Sequence, residues 1–134
     1  EQGPKGGDEI NIVKKGANYG WVTVTYGVNY SGTKITDETT KPGIGPPIYY
    51  WVPLIAPCGM AFVTSDKYPQ WKGKLLVGSL KFAYVELLTL EGEKVTSREK
   101  IAQDIGRVRN VKMGPDGLIY IAVEGQGIFS LIPE

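Results

Sequence analysis

Arg109-Asn110-Val111-Lys112-Met113-Gly114-Pro115-Asp116-Gly117-Leu118-Ile119-Tyr120-Ile121-Ala122 reads as a strand, a tight turn and a second, more apolar strand. Pro115 at the second position of the turn and Gly117 at the fourth suit a type I turn. An earlier stretch follows the same plan. Gly59-Met60-Ala61-Phe62-Val63 leads by way of Trp71-Lys72-Gly73 into Lys74-Leu75-Leu76-Val77-Gly78. A third strand follows in both units, at Tyr84–Leu90 and at Gly127–Ile132, and the earlier unit has a fourth at Lys94–Ile101. The offset is about 50 residues, the spacing of β-propeller blades.

Helical periodicity is scarce elsewhere. Apolar residues alternate with period two, or come in short β-branched runs bounded by Gly, Pro or Asp. Further strands are expected at Glu9–Lys14 and Trp21–Tyr26. Tyr26 to Pro47 is rich in Gly, Pro and Thr and reads as a long loop, either functional or an inert surface excursion. On this reading residues 1–26 end one blade, 27–58 form a long loop and connection, 59–105 make a full blade, and 106–134 make a last blade of three strands. All belong to one propeller domain. About two and a half blades cannot close a ring. The open edges need the remainder of a propeller, on another chain or in copies of this one, unless the fold is a small sandwich.

The 134 residues suffice for one modest core. Fifteen Lys+Arg against 14 Asp+Glu leave a net charge of +1, which gives no electrostatic footprint for nucleic acid or an acidic membrane. No window is long and apolar enough for a transmembrane helix. There is no histidine, which excludes a Ser-His-Asp or Cys-His pair and an imidazole base within the chain. One cysteine, Cys58, excludes an internal disulfide. The start lacks Met and any signal-peptide pattern, so the chain reads as a mature or clipped product.

Few residues point to chemistry on their own. Asp8 and Glu9 sit next to each other in a strand and face opposite sides, so they do not form an acid/base pair. Gln2-Gly3-Pro4 and Gly6-Gly7 offer bare carbonyls in a bent backbone, which suits a hard cation. Arg107 and Arg109 flank Val108, and period two puts both guanidinium groups on one face, about 7 Å apart. Such a pair repels unless a di- or tricarboxylate, a phosphate or an Asp/Glu pair lies between them. Lys81 ends a very apolar strand, as a rim residue or an anion ligand. Tyr49, Tyr50 and Trp51 could stack on a sugar or a planar cofactor, or plug a core.

Several stretches together resemble one family, the soluble PQQ-dependent aldose (glucose/sorbosone) dehydrogenases. They are Gln2-Gly3-Pro4-Lys5-Gly6-Gly7-Asp8-Glu9-Ile10-Asn11, Gly16-Ala17-Asn18-Tyr19-Gly20-Trp21, Ile55-Ala56-Pro57-Cys58-Gly59-Met60, Trp71-Lys72-Gly73, Gly78-Ser79-Leu80-Lys81 and Gly106-Arg107-Val108-Arg109. The resemblance runs over essentially the whole chain and implies an all-β, partial β-propeller: the C-terminal part of a six-bladed ring. It implies oxidation of aldoses to lactones by pyrroloquinoline quinone (PQQ) beside Ca²⁺, in the periplasm or outside the cell. By resemblance, Gly3 and Pro4 give backbone carbonyls to the cofactor-site calcium, and Gln2 lies beside the quinone. Lys81, Arg107 and Arg109 bind the PQQ carboxylates and quinone oxygens. Glu9 and Tyr19 match a second, structural calcium site, and Tyr50 and Trp51 match the aromatic wall near the sugar.

Three departures stand out. The resembled enzymes take their catalytic base, a histidine, from an earlier blade, and this chain has none. Asn110 stands where Asp is usual, and Val22 where Pro is usual. The chain is therefore expected to carry part of a cofactor site without the base, and to be inactive alone. Two other readings compete: a non-catalytic, self-associating propeller fragment, and a calcium- or carbohydrate-binding module.

Overall fold

The computed structural model describes residues 1–133. It is all β, and its strands fall into three antiparallel sheets. The backbone forms two compact units, Glu1–Ala56 and Pro57 onward.

In the first unit, β1 (Asp8–Ile10) pairs with β2 (Tyr49–Trp51), with Asp8 opposite Trp51 and Ile10 opposite Tyr49. β1 is shorter than the expected Glu9–Lys14. The strand expected at Trp21–Tyr26 does not form. The Val24 N–H instead donates to Gly20 O at 3.0 Å, and the Gly27 N–H donates to Thr25 Oγ1 at 3.1 Å. Trp21, Val22 and Thr23 are all exposed while Val24 and Thr25 are both buried, so no period-two alternation survives. Local hydroxyl-to-backbone bonding has outcompeted a ladder there. The partner of β1 comes from the stretch read as connection and aromatic cluster. Consecutive aromatics favour a strand, and flanking Pro47 and Pro53 masked it. The long loop is tied down by single bridges, Lys5 with Val28, Val28 with Lys34 and Asn18 with Ile44.

The second unit holds β3 (Pro57–Phe62), β4 (Leu75–Ser79), β5 (Tyr84–Glu91) and β6 (Lys94–Ile101) as a four-stranded sheet in chain order. β7 (Val108–Met113), β8 (Ile119–Val123) and β9 (Gly127–Leu131) form a three-stranded one, again in chain order. β4 is buried at every position, as an inner strand covered on both faces must be. β6 carries charged residues, Lys94, Arg98, Glu99 and Lys100, along an exposed edge, which guards it against stray pairing. The turn between β7 and β8 closes as expected, with the Gly117 N–H on Gly114 O at 3.0 Å.

The two sheets share one core. Leu76, Val85 and Leu87 from the first, with Val63 just beyond β3, meet Val108, Val111, Ile119 and Ile121 from the second. The seam is close because Gly78 has no side chain: a Cβ there would lie 2.4 Å from Val108 Cγ1 and 2.5 Å from Cys58 O. Tyr68 bolts the seam. Its hydroxyl accepts the Ile119 N–H at 3.1 Å and donates to Leu131 O.

Candidate functional site

Val108 has no exposure and packs against Gly78 in the seam, and the residues on either side of it turn outward, Arg109 where the ladder with β8 slips between Val108 and Asn110. Arg107 and Arg109 are both exposed, and both reach one atom. Arg107 Nε lies 2.8 Å and Arg109 Nη2 3.0 Å from Glu124 Oε2. The Glu124 backbone is held too, its N–H donating to Arg107 O at 2.9 Å. The side-chain hydrogen bond from Arg107, then that from Arg109, lowers the Glu124 pKa below 4.5. Among the described residues one carboxylate therefore balances one of two cationic charges. Each guanidinium carries five N–H donors and commits one nitrogen to Glu124, so donors remain for a second planar anion.

Lys81 lies in the link between β4 and β5, exposed, with Nζ 5.1 Å from the centre of the Phe82 ring. That link is set by the Phe82 N–H on Ser79 Oγ at 3.0 Å. Cys58 stays a packing residue whose thiol donates to Arg109 O at 3.1 Å.

In the first unit, Gln2-Gly3-Pro4 opens a tight turn. A Cβ on Gly3 would lie 2.3 Å from Gly6 O and 2.7 Å from Gly7 O, so only glycine fits. The Lys5 N–H donates to Val28 O at 3.0 Å. Among the described residues no hydrogen bond reaches the carbonyl of Gly3 or of Pro4. Bare carbonyls in a bent backbone are the donors a hard cation takes, and this turn fits one. No cluster of three or more His, Cys, Asp or Glu side chains occurs among the described residues, so a cation here would lean on carbonyl oxygen.

Glu9 is half-buried, and burial raises its pKa above 4.5. Its carboxylate accepts Asn11 Nδ2 at 3.3 Å, while Asn11 Oδ1 is buried with no partner among the described residues. An orphaned acceptor beside a desolvated carboxylate is chemistry that a calcium ion would satisfy. Tyr19 is bound locally, its hydroxyl accepting the Lys14 N–H at 2.6 Å and donating to Ile12 O at 2.7 Å. Tyr50 is exposed and stacks on Tyr26, with ring centres 3.7 Å apart and 4° between planes. Trp51 is 3% exposed and meets Tyr49 edge-on at 4.9 Å, so of the two it is Tyr50 that presents a ring outward.

Gln2, Gly3, Pro4, Glu9, Tyr19, Tyr50 and Trp51 thus belong to the first unit, and Lys81, Arg107 and Arg109 to the second. Sequence reading missed Glu124, whose pairing is long-range. It also undervalued Asp8, which has no exposure and accepts backbone N–H groups of Gly3, Ile55 and Ala56. One signal could have found it: in a period-two strand Asp8 shares a face with apolar Ile10.

The class defined by these features is a partial β-propeller whose paired sheets carry an arginine edge. Comparison with known proteins narrows it. The family described as Glucose / Sorbosone dehydrogenase matches residues 1–130, and the chain belongs to that family. It is 47% identical over 127 residues to aldose sugar dehydrogenase YliI of Escherichia coli strain K12, covering 92% of this chain and 34% of that protein. An uncharacterised Synechocystis protein is 34% identical over 125 residues, with 92% and 30% covered. The chain spans about a third of the length of these relatives. Among solved structures, the soluble aldose sugar dehydrogenase of E. coli in its apo-form superposes with a TM-score of 0.89 at 40% identity, over all of this chain and 40% of that one. A PQQ-bound aldose sugar dehydrogenase from Streptomyces coelicolor superposes over 95% of this chain and 34% of that one, with a TM-score of 0.67 at 22% identity, and shows the fold alone.

Proposed function

We propose that the chain is the C-terminal part of a PQQ- and calcium-dependent dehydrogenase that oxidises aldoses to lactones. The observation that carries this reading is the arginine edge in a chain of this family: two outward guanidinium groups with donors to spare, which complement a planar tricarboxylate. Bound PQQ would supply the two-electron sink, with Ca²⁺ as the Lewis acid at its quinone oxygen. Arg107, Arg109 and Lys81 would hold its carboxylates and oxygens, and Gln2 would lie beside the quinone. The Gly3 and Pro4 carbonyls would hold the calcium. Glu9 and Tyr19 would hold a second, structural calcium, with the unpartnered Asn11 Oδ1 supporting a cation at that place. Tyr50, with Trp51 behind it, would line the sugar approach.

Oxidation removes the C1 hydrogen of the aldose as hydride and the C1 hydroxyl proton to a base. By the family resemblance that base would be a histidine, and this chain has none, so the base would come from residues outside it. The reading carries a periplasmic or secreted location with it. Among the described residues no helix is long and apolar enough to cross a membrane.

The test is reconstitution of the full-length protein. Calcium-dependent PQQ binding, followed by aldose oxidation with an artificial electron acceptor, is the expected result. A full-length protein that ignores PQQ with calcium present would sink the proposal. It would leave a self-associating propeller without the chemistry.

A further inference from the structure

We infer that Asp8 is a positioning residue that sets the Gly3–Pro4 carbonyl turn for its cation before the cation arrives; this rests on the cofactor-site reading above. Asp8 has no exposure, and a buried carboxylate must be satisfied in place. The Gly3 N–H donates to its Oδ1 at 2.8 Å. The Ile55 and Ala56 N–H groups donate to its Oδ2 at 2.7 Å and 2.8 Å, from 47 and 48 residues away. Three backbone donors on one acceptor-only group leave the turn and the distant segment little freedom to part. Ala56 is itself in the left-handed region, at φ 51, a conformation that persists only where surroundings enforce it.

The donors' places matter as much as their number. Each peptide of this turn is a rigid trans plane, and in those that carry an N–H the C=O points opposite it. Asp8 holds the N–H of the Gln2–Gly3 plane. Val28 O holds the N–H of the Pro4–Lys5 plane at 3.0 Å, so the Pro4 carbonyl points away from Val28. Pro4 has a fixed φ. The Gly3 carbonyl therefore lies between two anchored planes, and Gly3 is packed against the Gly6 and Gly7 carbonyls. Asp8 is the one side chain among these anchors. A calcium ion arriving there would find carbonyls already aimed, and would not have to order them.

Asp8→Asn in the full-length protein tests this. The amide keeps the size but turns an NH₂ toward N–H donors. At a temperature where its circular dichroism matches the parent, the calcium concentration for half-maximal PQQ binding, read from PQQ absorbance, should rise about tenfold or more. A folded Asp8→Asn protein with an unchanged calcium midpoint would overturn the role. Hydrogen exchange on the unmodified protein gives a second measurement, informative even where the variant does not fold. The Gly3, Ile55 and Ala56 amides should exchange as slowly without calcium as with it, and fast exchange without calcium would refute positioning by Asp8. A parent protein with no calcium-dependent PQQ binding would overturn the cofactor-site reading itself, and this role with it.

Discussion

Glu124 meets two guanidinium groups at a single oxygen, and this makes its protonation easy to follow. Its folded pKa lies below the usual 4.5, so the bridge favours folding above pH 4.5 and loses that contribution as pH falls through the folded value. Between pH 5 and 8 the bridge should not respond to pH. Carbon-detected NMR of the Glu124 carboxyl should show a midpoint below 4.5, and Arg107→Ala should move it back toward 4.5. The same arginines give the sharpest functional variants. Arg107→Ala and Arg109→Ala in the full-length protein should each weaken PQQ binding by about tenfold or more, the loss expected where a charge-assisted contact disappears. Melting temperature should barely move, because exposed ion pairs contribute little stability. Equal PQQ affinity in both variants and the parent would remove the arginine edge from the cofactor site.

Between strands, the seam of the second unit depends on what is missing as much as on what is present. Gly78→Ala places a methyl group against Val108 and Cys58 O, and should destabilise by roughly 1–3 kcal/mol through overpacking. Gly73→Ala is the control. Its φ of +82 is unfavourable for alanine, but nothing lies within 4 Å of the added carbon, so the loss should be only about 1 kcal/mol. Urea unfolding separates the two, and equal losses would mean that the seam can relax. Only Gly78→Ala should also disturb PQQ binding, since Val108 sets both arginines. Tyr68→Phe leaves the buried Ile119 N–H without its acceptor, and should lower stability by about 1–3 kcal/mol on the same measurement.

In the molecule as a whole, the outer faces of β7–β9 remain open. β9 exposes Ile128 at 73% and Phe129 at 38% along an edge with no further strand among the described residues. A cavity of about 540 Å³ lies on that sheet, lined by Asn110, Lys112, Tyr120 and Ile128 among others. An open apolar edge is a template for pairing. The 134-residue chain produced alone should therefore self-associate on size exclusion with light scattering, and should show no aldose oxidation even with PQQ and calcium. Activity from the chain alone would contradict the need for a histidine from elsewhere.

Much of this protein was legible along the chain. The repeat of strand, turn and apolar strand identified both sheets of the second unit, because hydrophobic alternation and turn chemistry are local properties. Period two also placed Arg107 and Arg109 on one face, and both reach Glu124, although the ladder slips at Arg109 and leaves Arg109 and Asn110 both exposed. The first unit was harder to read. Trp21–Tyr26 alternates like a strand yet turns, since Thr25 and Gly20 satisfy its backbone locally. Tyr49–Trp51 carries a strand hidden between prolines. Glu124 between the arginines, Asp8 under the carbonyl turn and the Gly78 seam involve partners far apart in sequence. Local preference sets which segments extend or bend. Only the packed chain brings distant donors and acceptors within hydrogen-bond reach, and that packing determines which charges are paired and which backbone groups are held.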